Sequence, residues 1–276
     1  MVKTKIYYFS GTGNSLHIAR ELQKRIPDSL LLPILAFKDM DLVKVDAEKV
    51  GLVFPIYFTT IPAPVRDLIS RLDLTSVKYT FMTATRIGTF TIADKLVNTL
   101  LKKRGRKLDS FLIVNMASNS PTGLKPGKGD PKWVERTSEK EVERMEKELL
   151  PSLEEFAEAV NKGERYPGKM ISNPVGTLTR PLMDMLTKGI KSEVGYVTDD
   201  TCIGCGTCER VCPSNKVKLV KGKPVWQKDV QCYYCFACFN FCPEQAILVE
   251  KKWVRKDGRY HHPDVSLEDI VHQKMG

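Results

Sequence analysis

Apolar residues in the first half of the chain fall into short runs separated by segments with a helical repeat. Lys5-Ile6-Tyr7-Tyr8-Phe9 is β-branched and aromatic and predicts a strand. After a turn at Ser10–Ser15, Leu16, Ala19, Leu22 and Ile26 recur at the spacing of one helix face. Leu30–Ile34 predicts a second strand. Val50–Phe54 predicts a third, whose unbroken apolar character suits a parallel strand covered on both faces. A Pro-punctuated loop from Pro55 to Pro64 leads into a helix over about Val65–Leu72. Tyr79–Ala84 and Phe111–Met116 predict the fourth and fifth strands, with a helix from about Ile92 to Lys103 between them. This alternation predicts an α/β fold with a doubly wound, parallel five-stranded sheet.

Further on, Ser118–Asp130 is rich in Gly, Pro and Lys and reads as a surface loop. A long charged helix is expected over about Glu135–Asn161, with Pro151 marking a break or kink. Residues 162–192 read as a connection with one more helix near Leu178–Ile190. Its Leu182, Met183, Met185 and Leu186 suit packing between two domains. The tail from Lys251 to Gly276 holds a helix start at Ser266-Leu267-Glu268-Asp269, and no chemistry is assigned to it.

All eight cysteines lie between Cys202 and Cys242, in two copies of one pattern. Cys202-x-x-Cys205-x-x-Cys208-x-x-x-Cys212-Pro213 is followed by Cys232-x-x-Cys235-x-x-Cys238-x-x-x-Cys242-Pro243. Three thiolates at this spacing wrap a tight loop around one cuboidal cluster, and the fourth, on the departing chain, reaches the other. The pattern therefore pairs Cys202, Cys205 and Cys208 with Cys242, and Cys232, Cys235 and Cys238 with Cys212. Zinc sites favour separated C-x-x-C pairs, often with histidine, and no histidine lies between Cys202 and Cys242. Two [4Fe–4S] clusters are the expectation, and the segment resembles the two-cluster bacterial ferredoxins over about residues 195–250. Gly204 and Gly206 suit backbone N–H groups approaching cluster sulfides. Tyr233, Tyr234, Phe236, Phe239 and Phe241 are expected to pack rather than to carry electrons.

The turn Ser10-Gly11-Thr12-Gly13-Asn14-Ser15 joins the first strand to the first helix. Its glycines allow a sharp turn with exposed N–H groups, its hydroxyls and the Asn14 amide can donate, and the helix N-terminus favours an anion. No cationic side chain is present, and the loop is neither a Walker loop nor G-x-G-x-x-G. A phosphate monoester such as that of FMN suits it.

In its position after the first strand, the loop resembles the S/T-x-T-G-x-S/T phosphate loop of flavodoxins. The strand–helix pattern follows theirs over about residues 3–160. That resemblance implies FMN, with ring-binding loops after the third and fourth strands at the carboxyl ends of the sheet. Here these are Pro55-Ile56-Tyr57-Phe58-Thr59-Thr60 and Thr85-Arg86-Ile87-Gly88, with Tyr57 and then Phe58 the candidates to stack on the ring. Asn115 to Asn119, ending the fifth strand, would cover ring or substrate, with Asn119 the candidate residue. Many flavodoxins carry a glycine after the third strand whose peptide responds to the flavin N5 proton; this loop has none before Pro62. The domain order resembles a family of fused flavodoxin–ferredoxin proteins (iron–sulfur flavoproteins), found mainly in anaerobes. That likeness implies electron transfer between clusters, FMN and redox partners. The expected division is 1–162 flavodoxin-like, 163–192 connecting, 193–250 a small α+β ferredoxin-like domain, and 251–276 tail.

Composition adds limits. The 276 residues suffice for one large and one small domain, and 42% apolar with 28% charged residues is ordinary for a soluble protein. No run approaches the roughly 18 apolar residues of a membrane span. The apolar stretch at the N-terminus is too short for a signal-peptide core, so a reducing cytoplasm is expected, where cysteines bind metal rather than pair. The net charge of +10 sits mainly in residues 1–192, with 31 Lys/Arg against 22 Asp/Glu. Without a nucleic-acid-binding motif, that excess is expected to steer acidic redox partners rather than nucleic acid. The four histidines, His17, His261, His262 and His272, fall on a helix and in the tail and show no acid–base constellation. An FMN-dependent reductase of a small molecule is the alternative, with Tyr57, Arg86 and Asn119 expected to line a pocket over the ring.

Overall fold

The computed structural model describes residues 2–87, 91–120, 137–166, 195–250 and 259–274. Its first part runs β1 (Thr4–Tyr8), α1 (Asn14–Arg25), β2 (Ser29–Pro33), a 3₁₀ turn (Ile34–Phe37), β3 (Val43–Lys44) and β4 (Lys49–Pro55). It continues with α2 (Ala63–Arg71), β5 (Leu72–Asp73), β6 (Tyr79–Arg86), α3 (Ala93–Lys102), β7 (Ser110–Asn115) and α4 (Glu139–Lys162). The second part runs β8 (Tyr196–Thr198), α5 (Thr207–Val211), β9 (Val217–Val220), β10 (Lys223–Trp226), α6 (Ala237–Asn240), β11 (Ile247–Val249) and α7 (Leu267–His272).

Five strands form one parallel sheet in the order β2-β1-β4-β6-β7. After β1 the chain crosses to one side of the sheet, and after β4 to the other. Right-handed crossovers therefore put α1 and α2 on opposite faces, and they leave a crevice at the carboxyl ends of β1 and β4. This is the flavodoxin-like arrangement. Phe81 on β6 fills the space beside central β4 so closely that a Cβ at Gly51 would stand 2.3 Å from its Cζ. β3 and β5 add only a two-residue parallel pair at the side.

The break or kink expected at Pro151 takes no form that interrupts α4, which runs continuously through it. Proline removes one N–H bond, but Leu153, Phe156, Ala157 and Val160 beyond it are buried, and Phe156 meets Phe81 edge-on at 6.0 Å. Ser138 caps the helix start, and Gly163 ends it in the left-handed region at φ 70°. Most of the loop expected at 118–130, and the helix expected near 178–190, lie outside the described residues.

In the second part β8 pairs with β11 and β9 with β10, both antiparallel, giving a small α+β ferredoxin-like unit. Its backbone repeats with its cysteines. Gly204, Gly206 and Asn215 have φ of 68°, 79° and 58°. Thirty residues on, Tyr234, Phe236 and Gln245 have 56°, 55° and 52°. The second copy thus holds side-chain-bearing residues where the first has glycine, at a cost of about 1 kcal/mol each. Neither the cysteine segment nor the tail stands apart from the sheet: Val211, Cys235, Ala237 and Phe241, with Val265 and Ile270, belong to its apolar core. Among the described residues no helix is long and apolar enough to cross a membrane.

Candidate functional site

The turn after β1 opens into the crevice. Gly13 has φ 103°, a value that favours glycine, and its N–H donates to Ser10 Oγ at 3.1 Å. Among the described residues no side chain caps α1, whose first-turn N–H groups, like those of any helix, have no intrahelical acceptor. Ser10 Oγ accepts from Gly13, and Thr12 Oγ1 accepts from Asn119 Nδ2 at 3.1 Å, which leaves both hydroxyl protons free to donate. Ser15 and Thr85 share a buried hydroxyl–hydroxyl bond of 2.7 Å, so these two hold the loop to the end of β6.

Ser10, Gly11, Thr12, Asn14 and Ser15 line one cavity together with Pro55, Ile56, Tyr57, Thr85, Arg86, Ile87 and Asn119. Sequence-predicted residues from four loops thus meet at the carboxyl ends of the strands. Gly13 shapes the turn without lining the cavity, and Gly88 lies outside the described residues. Phe58 turns away and is exposed, meeting Tyr234 edge-on at 5.5 Å. It occupies a two-residue reversal in which Tyr57 and Thr60 exchange backbone hydrogen bonds. Phe58 and Thr59 there take φ of 49° and 65° without glycine. Two buried donors of the cavity wall, Tyr57 Oη and Arg86 Nε, have no acceptor among the described residues.

The tail, assigned no chemistry from sequence, packs against the back of this loop. Gln273, 1% exposed, accepts from Ser10 N–H at 3.1 Å and donates to Ser10 O at 2.7 Å. The Tyr260 hydroxyl donates to Asn14 Oδ1 at 2.7 Å, and His262 N–H donates to Thr12 O at 2.8 Å. Gln273→Leu leaves two buried Ser10 groups unpaired and is expected to cost about 2 kcal/mol, read as a lower urea unfolding midpoint. Only the local helix start at Ser266 was visible in the sequence; it forms a capping box with Asp269.

On the other side the loop meets the cysteine segment. A Cβ on Gly11 would stand 2.5 Å from Tyr57 Oη, 2.6 Å from Cys235 O and 2.8 Å from Cys235 Cβ. Asn119 Nδ2 bridges Thr12 Oγ1 and Cys235 O, each at 3.1 Å. Asn119 O in turn accepts from Asn240 Nδ2 at 3.0 Å.

Cys202, Cys205, Cys208 and Cys242 line one cavity at the surface, where Cys205 and Ile203 are exposed. Burial raises the thiols of Cys232, Cys235 and Cys238, and nearby Cys212 adds to the rise in each. Burial likewise pushes the Cys208 thiol up to about 11, with Cys242 and Cys205 adding to it. Thiols so placed keep their protons unless a cation takes them, which is what iron does. The aromatics between them pack: Tyr233 on Phe9 at 6.1 Å, Phe241 on His261 at 4.6 Å, and Phe239 under the Arg259 guanidinium. Residues 195–243 match the family model of the 4Fe-4S dicluster domain. Comparison with curated proteins gives no match. The chain therefore carries a two-cluster [4Fe–4S] electron-transfer domain joined to a flavodoxin-like parallel α/β domain.

Proposed function

We propose that the cavity at the sheet's carboxyl ends holds FMN, and that the protein passes electrons between its two clusters, this flavin and a redox partner. The observation that carries the reading is the contact of Gly11 with Cys235, because it joins the anion-binding turn directly to a cluster loop. The free N–H groups and hydroxyls of Ser10–Ser15 suit the phosphate. Pro55–Tyr57, Thr85–Ile87 and Asn119 suit the ring. The orphan donors Tyr57 Oη and Arg86 Nε fit a ligand rich in acceptors, and the Arg86 guanidinium favours negative charge there. When bound, FMN exchanges one or two electrons, whereas each cluster exchanges one.

In this reading Cys202, Cys205, Cys208 and Cys242 hold the outer cluster, and Cys212, Cys232, Cys235 and Cys238 the one against the sheet domain. The exposed Cys205 and Ile203 make the outer cluster the docking side for a protein partner. Anaerobic purification with iron, sulfide and flavin quantified, then stepwise reductive titration, tests the scheme. About eight irons and one FMN per chain, reducing in distinct steps, are expected. Iron without flavin would remove the flavin half. Tyr57→Phe is expected to weaken FMN binding about five- to tenfold in a fluorescence titration without lowering the unfolding midpoint, since the hydroxyl it removes has no acceptor.

One observation favours a small-molecule acceptor as a second reading. Tyr57, Ile61, Ala63, Arg66, Cys232 and Tyr234 line a separate cavity that touches both the ring loop and the inner cluster loop. Loss of acceptor turnover in Ala63→Trp at constant FMN content would support it.

A further inference from the structure

Behind the phosphate loop, side chains from three separate segments converge. They are His17 on α1, Glu146 on α4, and His262 and Asp264 in the tail; one ligand atom from each lies within 4.8 Å of all the others. The two imidazoles stack at 4.0 Å with 22° between planes. His17 Nε2 lies 3.5 Å and His262 Nε2 2.7 Å from the same oxygen, Glu146 Oε1. His17 Nδ1 lies 3.4 Å from Asp264 Oδ2. We infer that His17, Glu146 and His262 bind a divalent transition metal of the zinc class, with Asp264 orienting His17.

Two imidazoles and a carboxylate are a zinc donor set that leaves a fourth position for water. At bond lengths of about 2.0–2.1 Å, tetrahedral ligands stand about 3.3–3.4 Å apart. The His17–Glu146 separation already matches this. The His262–Glu146 pair is closer because it is hydrogen-bonded: Asp264 N–H donates to His262 Nδ1 at 3.2 Å, so Nε2 carries the ring proton and donates to Glu146. To ligate through Nε2, His262 would shift its ring proton from Nε2 to Nδ1 with no net proton released, giving up the hydrogen bonds to Glu146 and from Asp264 N–H. Asp264, accepting from His17 Nδ1–H, keeps His17 Nε2 free to ligate, as carboxylates behind metal-bound histidines do.

The surroundings suit such an ion. His262 is fully buried. Glu146 has no Lys or Arg partner among the described residues. An ion here would staple α1, α4 and the tail together directly behind the loop, where a Cβ on Gly13 would stand 2.7 Å from His262 Cβ. It would bind there whichever anion the loop holds.

The test uses tag-free, cluster-loaded full-length protein, so that neither tag histidines nor free thiolates take the metal. Equilibrium dialysis against Zn²⁺ with metal analysis is expected to give one saturable equivalent beyond the cluster iron. His17→Gln and His262→Ala are each expected to weaken it at least about 100-fold, and Asp264→Asn about 10- to 100-fold. His272→Ala, outside the group, should leave it unchanged. Zn²⁺ should also raise the melting temperature of the wild type but not of His17→Gln. Because His262→Ala can fail to fold, the wild type and His17→Gln are the deciding pair. No stoichiometric zinc in the wild type, or full binding by His17→Gln, would overturn the site.

Discussion

Cys242→Ala is expected to abolish the outer cluster, although Cys242 belongs to the second cysteine copy. Iron should fall from about eight to about four per chain, and the EPR signal that survives should be that of the cluster held by Cys212, Cys232, Cys235 and Cys238. The reason is spatial: Cys242 closes the same surface cavity as Cys202, Cys205 and Cys208. Alanine rather than serine is chosen so that no oxygen can stand in for the lost thiolate. The reciprocal change, Cys212→Ala, should remove the inner cluster and do wider damage. Its partners Cys235 and Cys238 are buried, and Cys235 sits in the apolar core shared with the sheet. Here iron should fall to about four or lower, and the unfolding midpoint should drop further than in Cys242→Ala. If Cys242→Ala instead kept the outer signal and lost the inner one, each cysteine copy would hold its own cluster, and the crossed assignment would be wrong.

Gly11→Val should separate the two cofactor regions. Even its first added atom would stand 2.6 Å from the carbonyl oxygen of Cys235, and that neighbour is backbone, which cannot swing aside like a side-chain tip. Overpacking of this kind costs about 1–3 kcal/mol, which as a binding penalty is roughly five- to 150-fold. FMN affinity should fall by that factor in a fluorescence titration. Reduction of any flavin still bound should slow when electrons are supplied through the clusters, while iron content stays near wild type. Gly105→Ala is the matched control: its φ of 76° strains an alanine, but nothing lies within 4 Å of the new atom. It should cost about 1 kcal/mol of stability and leave flavin affinity alone. Equal loss of FMN in both variants would mean that general destabilisation, not the joint at Cys235, governs the site.

The parts of this molecule that were legible in sequence are those written by local repetition. The five strands announced themselves as apolar runs such as Val50–Phe54, and the turn between β1 and α1 as a compact cluster of Gly, Ser and Thr. The cysteine copies carried their own spacing. Pro151 does not break the helix because its local cost is set against the buried face from Leu153 to Val160, which acts along the whole helix. The tail was illegible for the opposite reason. Tyr260, His262 and Gln273 each act through a single contact with a residue some 250 positions away, and no periodicity records such a contact. The grouping of His17 with Glu146 and His262 was hidden in the same way. The left-handed backbone at Tyr234 and Phe236 could have been found by laying the second cysteine copy over the first, where these aromatics stand in register with Gly204 and Gly206.

The bond between Ser10 and Gln273 also sets an order of events during synthesis. The side chain that secures the backbone of the turn after β1 is translated 263 positions after Ser10. At about 5–20 residues per second, roughly 13–50 seconds separate the two. Through that interval the nascent sheet can form while its turn lacks the tail's support. The backbone of the turn is thus secured only after the cysteine-bearing segment, which lies between Ser10 and Gln273 in the chain, has itself been made.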